Sequence, residues 1–190
     1  RENLILIVDE AHGVGVFGDY GEGLVQHLQI EQKVPIRIIT FGKAVGAHGA
    51  AVLSNLTIKN FLINFCRSFI YTTALPPHVI KSLESSYTII KTGRLSQVLM
   101  KKIELFKTQF SFSDSKKLIA SNSSIQCVLF PGNNKVKEVC SGLNKAGFDV
   151  RPVLSPTVKK GEERIRICIH TFNSNDEIIS LANAIKKYLS

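Results

Sequence analysis

The sequence predicts an α/β protein with two units, a first unit that contains a sheet and a second, small α/β unit. Short, apolar, β-branched runs separated by glycine-rich connections fill the first part of the chain, and a second series of strand and helix patterns begins near residue 125. Strand patterns that alternate with helical patterns are typical of this class. We expect residues 1–92 to form the first unit, called the large domain below, and residues 93–190 to form a linking helix and the small domain.

Three strands are predicted in the large domain. Residues 4–8 form a wholly apolar run that ends in acidic residues, which indicates a strand buried on both faces of a parallel sheet. Residues 36–40 and 50–53 have the same character. The connections at residues 13–23 and 42–49 are rich in glycine and follow strand ends, where loops carry functional sites. We therefore expect the site in these two connections.

Helical periodicity follows the strands. Apolar residues recur every three or four positions around residues 58–65 and again after Pro76-Pro77, and a further amphipathic helix is predicted after Gly93.

The small domain is predicted from a second set of patterns. Strands are expected at residues 125–130, near residues 148–153 and at residues 165–169. Its last helix begins at a capping box, formed by Ser174 with Glu177. Its first helix places four apolar side chains on one face, namely Val136, Val139, Cys140 and Leu143.

The composition is that of an ordinary globular protein. With 190 residues, 44% hydrophobic and 21% charged, the chain is long enough to bury a core. The net charge of +9 comes from lysines and arginines spread along the chain, so we expect mostly solvated faces, no nucleic-acid partner and at most attraction of an anionic substrate. No run approaches the roughly 20 apolar residues of a membrane span, so none is expected. Since an apolar strand begins almost at once, we expect a piece of a longer protein.

The cysteines indicate neither a metal site nor a disulfide scaffold. Cys66, Cys127, Cys140 and Cys168 lie far apart and form no CxxC pattern. We expect reduced thiols, a cytoplasmic protein and no bound metal.

The candidate catalytic residues follow the ends of two predicted strands. DEAHGVG follows the first strand from Asp9, and TFGKAVG follows the second from Thr40. A carboxylate at a strand tip also holds the metal of nucleotide hydrolases, and DEAH alone suggests a helicase. The phosphate loop GxxxxGK[ST] is not matched, because Ala44 follows Lys43 and Arg37 stands where its first glycine belongs. Such a loop could precede this chain, so a nucleotide hydrolase using Asp9-Glu10 stays open.

Taken together, the two loops resemble those of the α-oxoamine synthases, which are fold-type-I pyridoxal-phosphate enzymes. The blocks DEAHGVGVFGDYGEG, TFGKAVGAHGAAV, FCRSFIYTTALPP and PTVKKGEERIRI follow one another at family-like spacing. The resemblance covers nearly the whole chain. It implies the C-terminal half of such an enzyme, with the parallel-rich sheet of the large domain followed by a small C-terminal α/β domain.

The resemblance implies pyridoxal 5'-phosphate as the cofactor. Lys43 matches the Schiff-base lysine, whose amine must be neutral to attack the cofactor aldehyde. Asp9 would keep the pyridine nitrogen protonated, so that the ring accepts electrons. His12 would hydrogen-bond the phenolic oxygen and Thr40 would bind the phosphate. Thr73 would reach the phosphate across a subunit interface.

Substrate binding is implied for the small domain. Arg166 matches the arginine whose planar guanidinium binds the amino-acid carboxylate in two places. Thr157 matches a threonine that contacts substrate at the entrance. Arg164 is expected to face away from Arg166. Lys159 stands where the family often has proline, and its charge would suit a phosphate-bearing thioester carrier or would simply be solvated.

The implied reaction joins an amino acid to an acyl thioester with loss of carbon dioxide, in a homodimer. Among the members, the likeness is greatest to the enzyme of biotin synthesis that uses L-alanine and a pimeloyl thioester of CoA or a carrier protein. Members that use glycine or serine are the alternatives. A non-catalytic fragment also remains open for the chain alone.

Overall fold

Three strands form the sheet of the first unit in this computed structural model, which describes residues 4–189. Strand β1 (Ile7–Asp9) runs parallel to β2 (Ile36–Thr40), and β3 (Ala50–Ser54) runs antiparallel to β2 on its other side. The predicted strands at 36–40 and 50–53 are confirmed. The sheet is mixed rather than parallel-rich over the described residues.

The first strand differs from its prediction. It begins at Ile7 rather than at residue 4, and Leu4 is 83% exposed and Ile7 55% exposed. The prediction of a strand buried on both faces is therefore wrong for this chain. Strand β1 is also the edge strand of the described sheet, with β2 as its neighbour on one side.

Five helices accompany this sheet: α1 (Leu24–His27), α2 (Leu56–Phe65), α3 (Arg67–Ile70), α4 (Pro77–Gly93) and the first residues of α5 (Leu95–Thr108). A short 3-10 turn, Glu31–Lys33, follows α1. The Asn55 side chain caps α2 by accepting a hydrogen bond from the N–H of Ile58 at 2.9 Å. Pro77 occupies the first turn of α4, where its missing N–H costs nothing.

The core of the first unit lies beneath both glycine-rich connections. Val14 from the first connection and Val45 from the second are buried in one cluster with Ile39, Phe41 and Ile90. Because Ile90 belongs to α4, this long helix packs against residues of both connections in the same cluster.

The second unit contains α5, α6 (Phe112–Ser115), α7 (Asn133–Lys145) and α8 (Asn175–Lys186) with a second three-stranded sheet. Its strands are β4 (Ile125–Leu129), β5 (Arg151–Val153) and β6 (Arg164–Cys168). Strand β6 lies in the centre and pairs antiparallel with both neighbours. The predicted strands are confirmed, each shifted or shortened by a few residues.

The predicted helix patterns of this unit are confirmed. Val136, Val139, Cys140 and Leu143 of α7 are all buried. The capping box at Ser174 and Glu177 is present, since each residue bonds the backbone N–H of the other. Helix α8 buries Ile178, Ala182 and Ile185.

The division between the two compact units falls inside α5. The first unit ends at Ser96 and the second begins at Gln97. No helix within residues 4–189 is long and apolar enough to span a membrane.

Candidate functional site

Asp9 and Thr40 end two neighbouring parallel strands at the same edge of the sheet. Asp9 is the last residue of β1 and lies opposite Ile38, and Thr40 is the last residue of β2. In α/β sheets, ligands bind outside the carboxyl ends of parallel strands. His12 follows β1 by three residues and Lys43 follows β2 by three residues, so all four residues belong to this one edge.

The connection that carries Lys43 is closed by its own backbone. The N–H of Phe41 donates to the carbonyl of Gly49 at 2.9 Å, and the N–H of Ala47 donates to the carbonyl of Phe41 at 2.8 Å. The carbonyl of Lys43 accepts from the N–H of Gly46 at 3.0 Å. The Lys43 side chain is exposed on this fixed backbone, which leaves its amine accessible to a ligand.

The two connections touch each other. A Cβ atom on Gly15 would lie 2.4 Å from the Cβ of Ala44, and Gly15 has φ +80°. This close approach therefore requires glycine. Together with the shared burial of Val14 and Val45, it holds the backbone next to His12 against the backbone next to Lys43.

The adjacent carboxylates Asp9 and Glu10 have different surroundings. Asp9 is exposed and its Oδ1 accepts the N–H of Ala11 at 2.8 Å. Glu10 is only 2% exposed, and its carboxylate accepts the N–H groups of Leu24 at 2.7 Å and Val25 at 2.9 Å. A structural role for Glu10 was missed from the sequence, although a carboxylate followed by a glycine-rich loop and a helix start was a usable signal.

Two glycines make room for the Glu10 carboxylate. A Cβ would lie 2.4 Å from Glu10 Oε2 at Gly13 and 2.3 Å from it at Gly23. Arg37 Nη1 approaches Glu10 Oε1 at 3.9 Å. The buried Glu10 carboxylate thus stabilises the first connection through its hydrogen bonds. Of the two neighbouring carboxylates, Asp9 is therefore the one accessible to a ligand.

Thr40 provides a test of whether the implied cofactor fits. Its Oγ1 is buried and has no hydrogen-bond partner among residues 4–189. A buried hydroxyl without a partner is unfavourable. A phosphate oxygen would satisfy it, so this residue fits the phosphate of the cofactor.

Thr73 lies apart from these four residues in sequence, in the exposed segment between α3 and α4. This segment approaches the Lys43 connection through Leu75, because a Cβ on Gly49 would lie 3.0 Å from Leu75 Cδ1. The structure therefore brings the segment between α3 and α4 near the Lys43 connection, but it shows no hydrogen bond of the Thr73 side chain within the described residues.

In the second unit, Arg166 is a half-buried cation on the central strand. It lies directly opposite Cys127 of β4 and Arg151 of β5. Arg151 pairs with Asp149 at 3.0 Å and Arg164 with Glu162 at 3.4 Å. Arg166 forms no ion pair over residues 4–189, so its guanidinium is available for a carboxylate.

Arg164 and Arg166 face the same side of the sheet, contrary to expectation. Ile165 and Ile167 between and after them are buried on the opposite face. Residues two positions apart in a strand share a face, so the expectation that Arg164 faces away was wrong. The two guanidiniums lower the pKa of the nearby Cys127 thiol, but burial outweighs them and leaves that pKa raised.

A cavity of about 490 Å³ adjoins Arg166. Its polar lining includes Arg151 and His170, and its apolar lining includes Phe148, Ile167 and Leu181. Thr157 lies outside it, exposed in the connection between β5 and β6.

The chain resembles known proteins in sequence. The family described as aminotransferase class I and II matches residues 1–184. An 8-amino-7-oxononanoate synthase of Emericella nidulans is 34% identical over 98% of this chain and 47% of its own length.

Solved structures are similar to the chain as well. An 8-amino-7-oxononanoate synthase from Francisella tularensis matches with a TM-score of 0.84 and 29% identity, over 97% of this chain and 54% of that one. A serine palmitoyltransferase of Sphingomonas wittichii matches with a TM-score of 0.86 and 25% identity, over 98% and 47% of the two chains. The chain thus spans about half the length of the relatives that it matches, and it has the fold of type-I pyridoxal-phosphate transferases over nearly all of its length.

Proposed function

Since this chain belongs to the aminotransferase class I and II family, we propose that the complete protein is a pyridoxal-phosphate-dependent acyltransferase. It joins an amino acid to an acyl thioester and releases carbon dioxide and the thiol. The observation that carries this proposal is the meeting of the Asp9–His12 and Thr40–Lys43 segments at one sheet edge, with the Thr40 hydroxyl unpartnered.

The favoured reaction is that of 8-amino-7-oxononanoate synthase, a step of biotin synthesis. Its substrates would be L-alanine and a pimeloyl thioester of CoA or of a carrier protein. The 34% identity to a relative of that name supports this choice. A reaction of the 2-amino-3-ketobutyrate CoA ligase or serine palmitoyltransferase type is the alternative within the family, and the serine palmitoyltransferase fold match has the lower identity of 25%.

The residues at the sheet edge would hold the cofactor in separate ways. Lys43 would bind it covalently through its amine, and Thr40 would donate its hydroxyl hydrogen to the phosphate. The Asp9 carboxylate would hold a proton on the pyridine nitrogen, and His12 would hydrogen-bond the phenolic oxygen. The bound cofactor supplies an electron sink for the carbanion formed at the amino-acid Cα.

The second unit would bind the amino acid. Arg166 would take its carboxylate through two parallel N–H donors, and Thr157 would contact it at the entrance. The protein would act as a cytoplasmic homodimer, in which Thr73 reaches the phosphate of the other subunit.

The experiment that tests this proposal is cofactor labelling of the complete protein. We expect an absorbance band near the visible edge with pyridoxal phosphate, and borohydride followed by peptide mapping should find the label on Lys43. The variant Lys43→Ala should lose the band, and the exposed Lys59→Ala should keep it. A label on another lysine, or no band, would contradict the proposal.

The competing nucleotide-hydrolase hypothesis has no such support. It needs both carboxylates of Asp9-Glu10 at the reaction centre, but the Glu10 carboxylate is buried and accepts two backbone N–H groups. ATP hydrolysis by the complete protein, lost in Asp9→Ala, would reinstate that hypothesis.

A further inference from the structure

The connection between β5 and β6 carries Thr157, and its hydrogen bonds to the rest of the second unit lie at its two ends. Thr157, Lys159 and Lys160 are exposed, and their side chains form no hydrogen bond within residues 4–189. In contrast, both ends of the connection make hydrogen bonds with the residues at the start of α7. The position of Thr157 therefore depends on these end contacts.

The first contact joins Asn133 to Ser155. The Asn133 Nδ2 donates to the carbonyl of Ser155 at 3.2 Å, and its Oδ1 accepts the N–H of Ser155 at 3.0 Å. One carboxamide thus satisfies both backbone groups of a residue two positions before Thr157. The pairing fixes that residue in a way that a single hydrogen bond would not.

The second contact joins Glu163 to Gly132 and Gly161. Glu163 is 2% exposed, and its Oε2 accepts the N–H of Gly132 at 2.8 Å and that of Gly161 at 2.9 Å. The N–H of Gly132 is the main cause that lowers the pKa of Glu163, so the side chain is a carboxylate at neutral pH. The far end of the connection is therefore hydrogen-bonded to Gly132, the N-cap residue just before α7.

We propose that Asn133 and Glu163 are positioning residues that hold the 155–163 connection, and with it Thr157, in the geometry needed to receive the amino-acid substrate. The inference rests on the proposed function for its substrate. The anchoring itself is a property of this chain's own side chains. Helix α7 acts as the fixed support because Val136 and Val139 in its first turns are fully buried.

Trypsin tests the anchoring without any reference to activity. Lys159 and Lys160 lie in the middle of the connection and are exposed, so cleavage after them reports how often the connection opens. In the complete, cofactor-loaded protein we expect Asn133→Ala and Glu163→Gln to speed this cleavage about tenfold, because each variant weakens hydrogen bonds that hold the backbone at one end of the connection.

Matched controls are available on the same helix. Asn134→Ala changes the neighbouring exposed asparagine, and Glu138→Gln changes an exposed glutamate that pairs only with Lys135 at the surface. Both should leave the cleavage rate unchanged. Asn133→Asp keeps the acceptor for the Ser155 N–H, so it should restore part of the protection.

Kinetics tests the link to substrate. Asn133→Ala and Glu163→Gln should raise the KM for the amino acid more than they lower kcat, with the cofactor absorbance close to that of the parent. Cleavage at the parental rate in both variants, or an unchanged KM, would overturn the inference. A parent protein that forms no amino ketone would instead refute the proposed function, while the trypsin result would still decide the anchoring.

Discussion

At the scale of single residues, the neighbouring carboxylates of Asp9 and Glu10 have different roles because their surroundings differ. Glu10 is buried and accepts two backbone N–H groups, while Asp9 is exposed at the sheet edge where β1 and β2 end. The N–H of Glu10 donates to the carbonyl of Ile38 at 2.7 Å, so the backbone pairing with β2 continues one residue beyond β1. Successive side chains in such a segment point to opposite sides, which explains the difference. The motif DEAH therefore combines one buried, structural carboxylate with one that is exposed at the end of the strand.

Substitutions should separate these two tasks. Glu10→Ala leaves the N–H groups of Leu24 and Val25 without their acceptor, so it should lower the free energy of unfolding by about 1–3 kcal/mol. Asp9→Ala should change stability little but should weaken cofactor binding strongly. Urea denaturation and cofactor titration of the complete protein measure the two effects, with the exposed Glu31→Ala as control. Equal stability losses at both positions would contradict this division.

Glu163 gives stability a defined pH dependence. Its pKa lies below the ordinary value of 4.5, chiefly because of the Gly132 N–H, so the unfolded chain takes up a proton before the folded chain does. The contribution is then fully present above pH 4.5 and is lost as the pH falls through the lower folded-state pKa.

The comparison of parent and Glu163→Gln measures this contribution. The variant should be less stable at neutral pH, and the difference should shrink as the pH falls into the acidic range. Urea midpoints over a pH series provide the measurement. A difference that stays constant with pH would exclude ionisation of Glu163 as its cause.

At the scale of elements, the predictable parts are those with local causes. The capping box at Ser174, the first turn at Pro77 and the strand at 36–40 follow from side-chain chemistry and periodicity. The burial of residues 4–8 was not predictable in this way, because it depends on which parts of the protein pack against the faces of β1. The same holds for the anchoring of the 155–163 connection by α7, which joins residues distant in sequence.

The candidate site shows the same limit. Asp9 and Thr40 end neighbouring parallel strands, as the apolar runs before them predicted. The contact of Gly15 with Ala44 could not be predicted, because no periodicity relates two loops. The cofactor roles of Lys43 and His12 remain predictions until labelling is done.

The contact between the two connections can be tested by adding one methyl group. Gly15→Ala places a Cβ 2.4 Å from that of Ala44 and also strains a residue at φ +80°, so it should separate the two connections. We expect cofactor binding to weaken at least tenfold, which corresponds to a loss of about 1.4 kcal/mol of binding free energy. Gly147→Ala is the matched control, because its φ is +92° but no atom lies within 4 Å.

A double variant distinguishes the clash from the strain. Ala44→Gly removes the opposing methyl group, so Gly15→Ala with Ala44→Gly should regain part of the lost cofactor affinity. If Gly147→Ala weakens cofactor binding equally, or if the double variant regains nothing, the loop contact does not set the affinity.

At the scale of the whole molecule, the first unit exposes much apolar surface. Aromatic side chains of α2, α3 and the residue after them are largely exposed, namely Phe61, Phe65, Phe69 and Tyr71. Leu4 and Ile5 before β1 are exposed as well. Exposed apolar surface of this extent marks a contact with further protein. The chain also spans only about half the length of its relatives, such as the 47% covered in the relative from Emericella nidulans.

These two facts predict how the 190-residue chain behaves alone. We expect it to bind pyridoxal phosphate more weakly than the complete protein, to form no amino ketone, and to self-associate through its apolar surface. Cofactor titration, a product assay and sedimentation at several concentrations check these outcomes. Full turnover by a monodisperse preparation of this chain would mean that all catalytic groups lie within it, and that Lys43, Asp9 and Arg166 need no help from the rest of the protein.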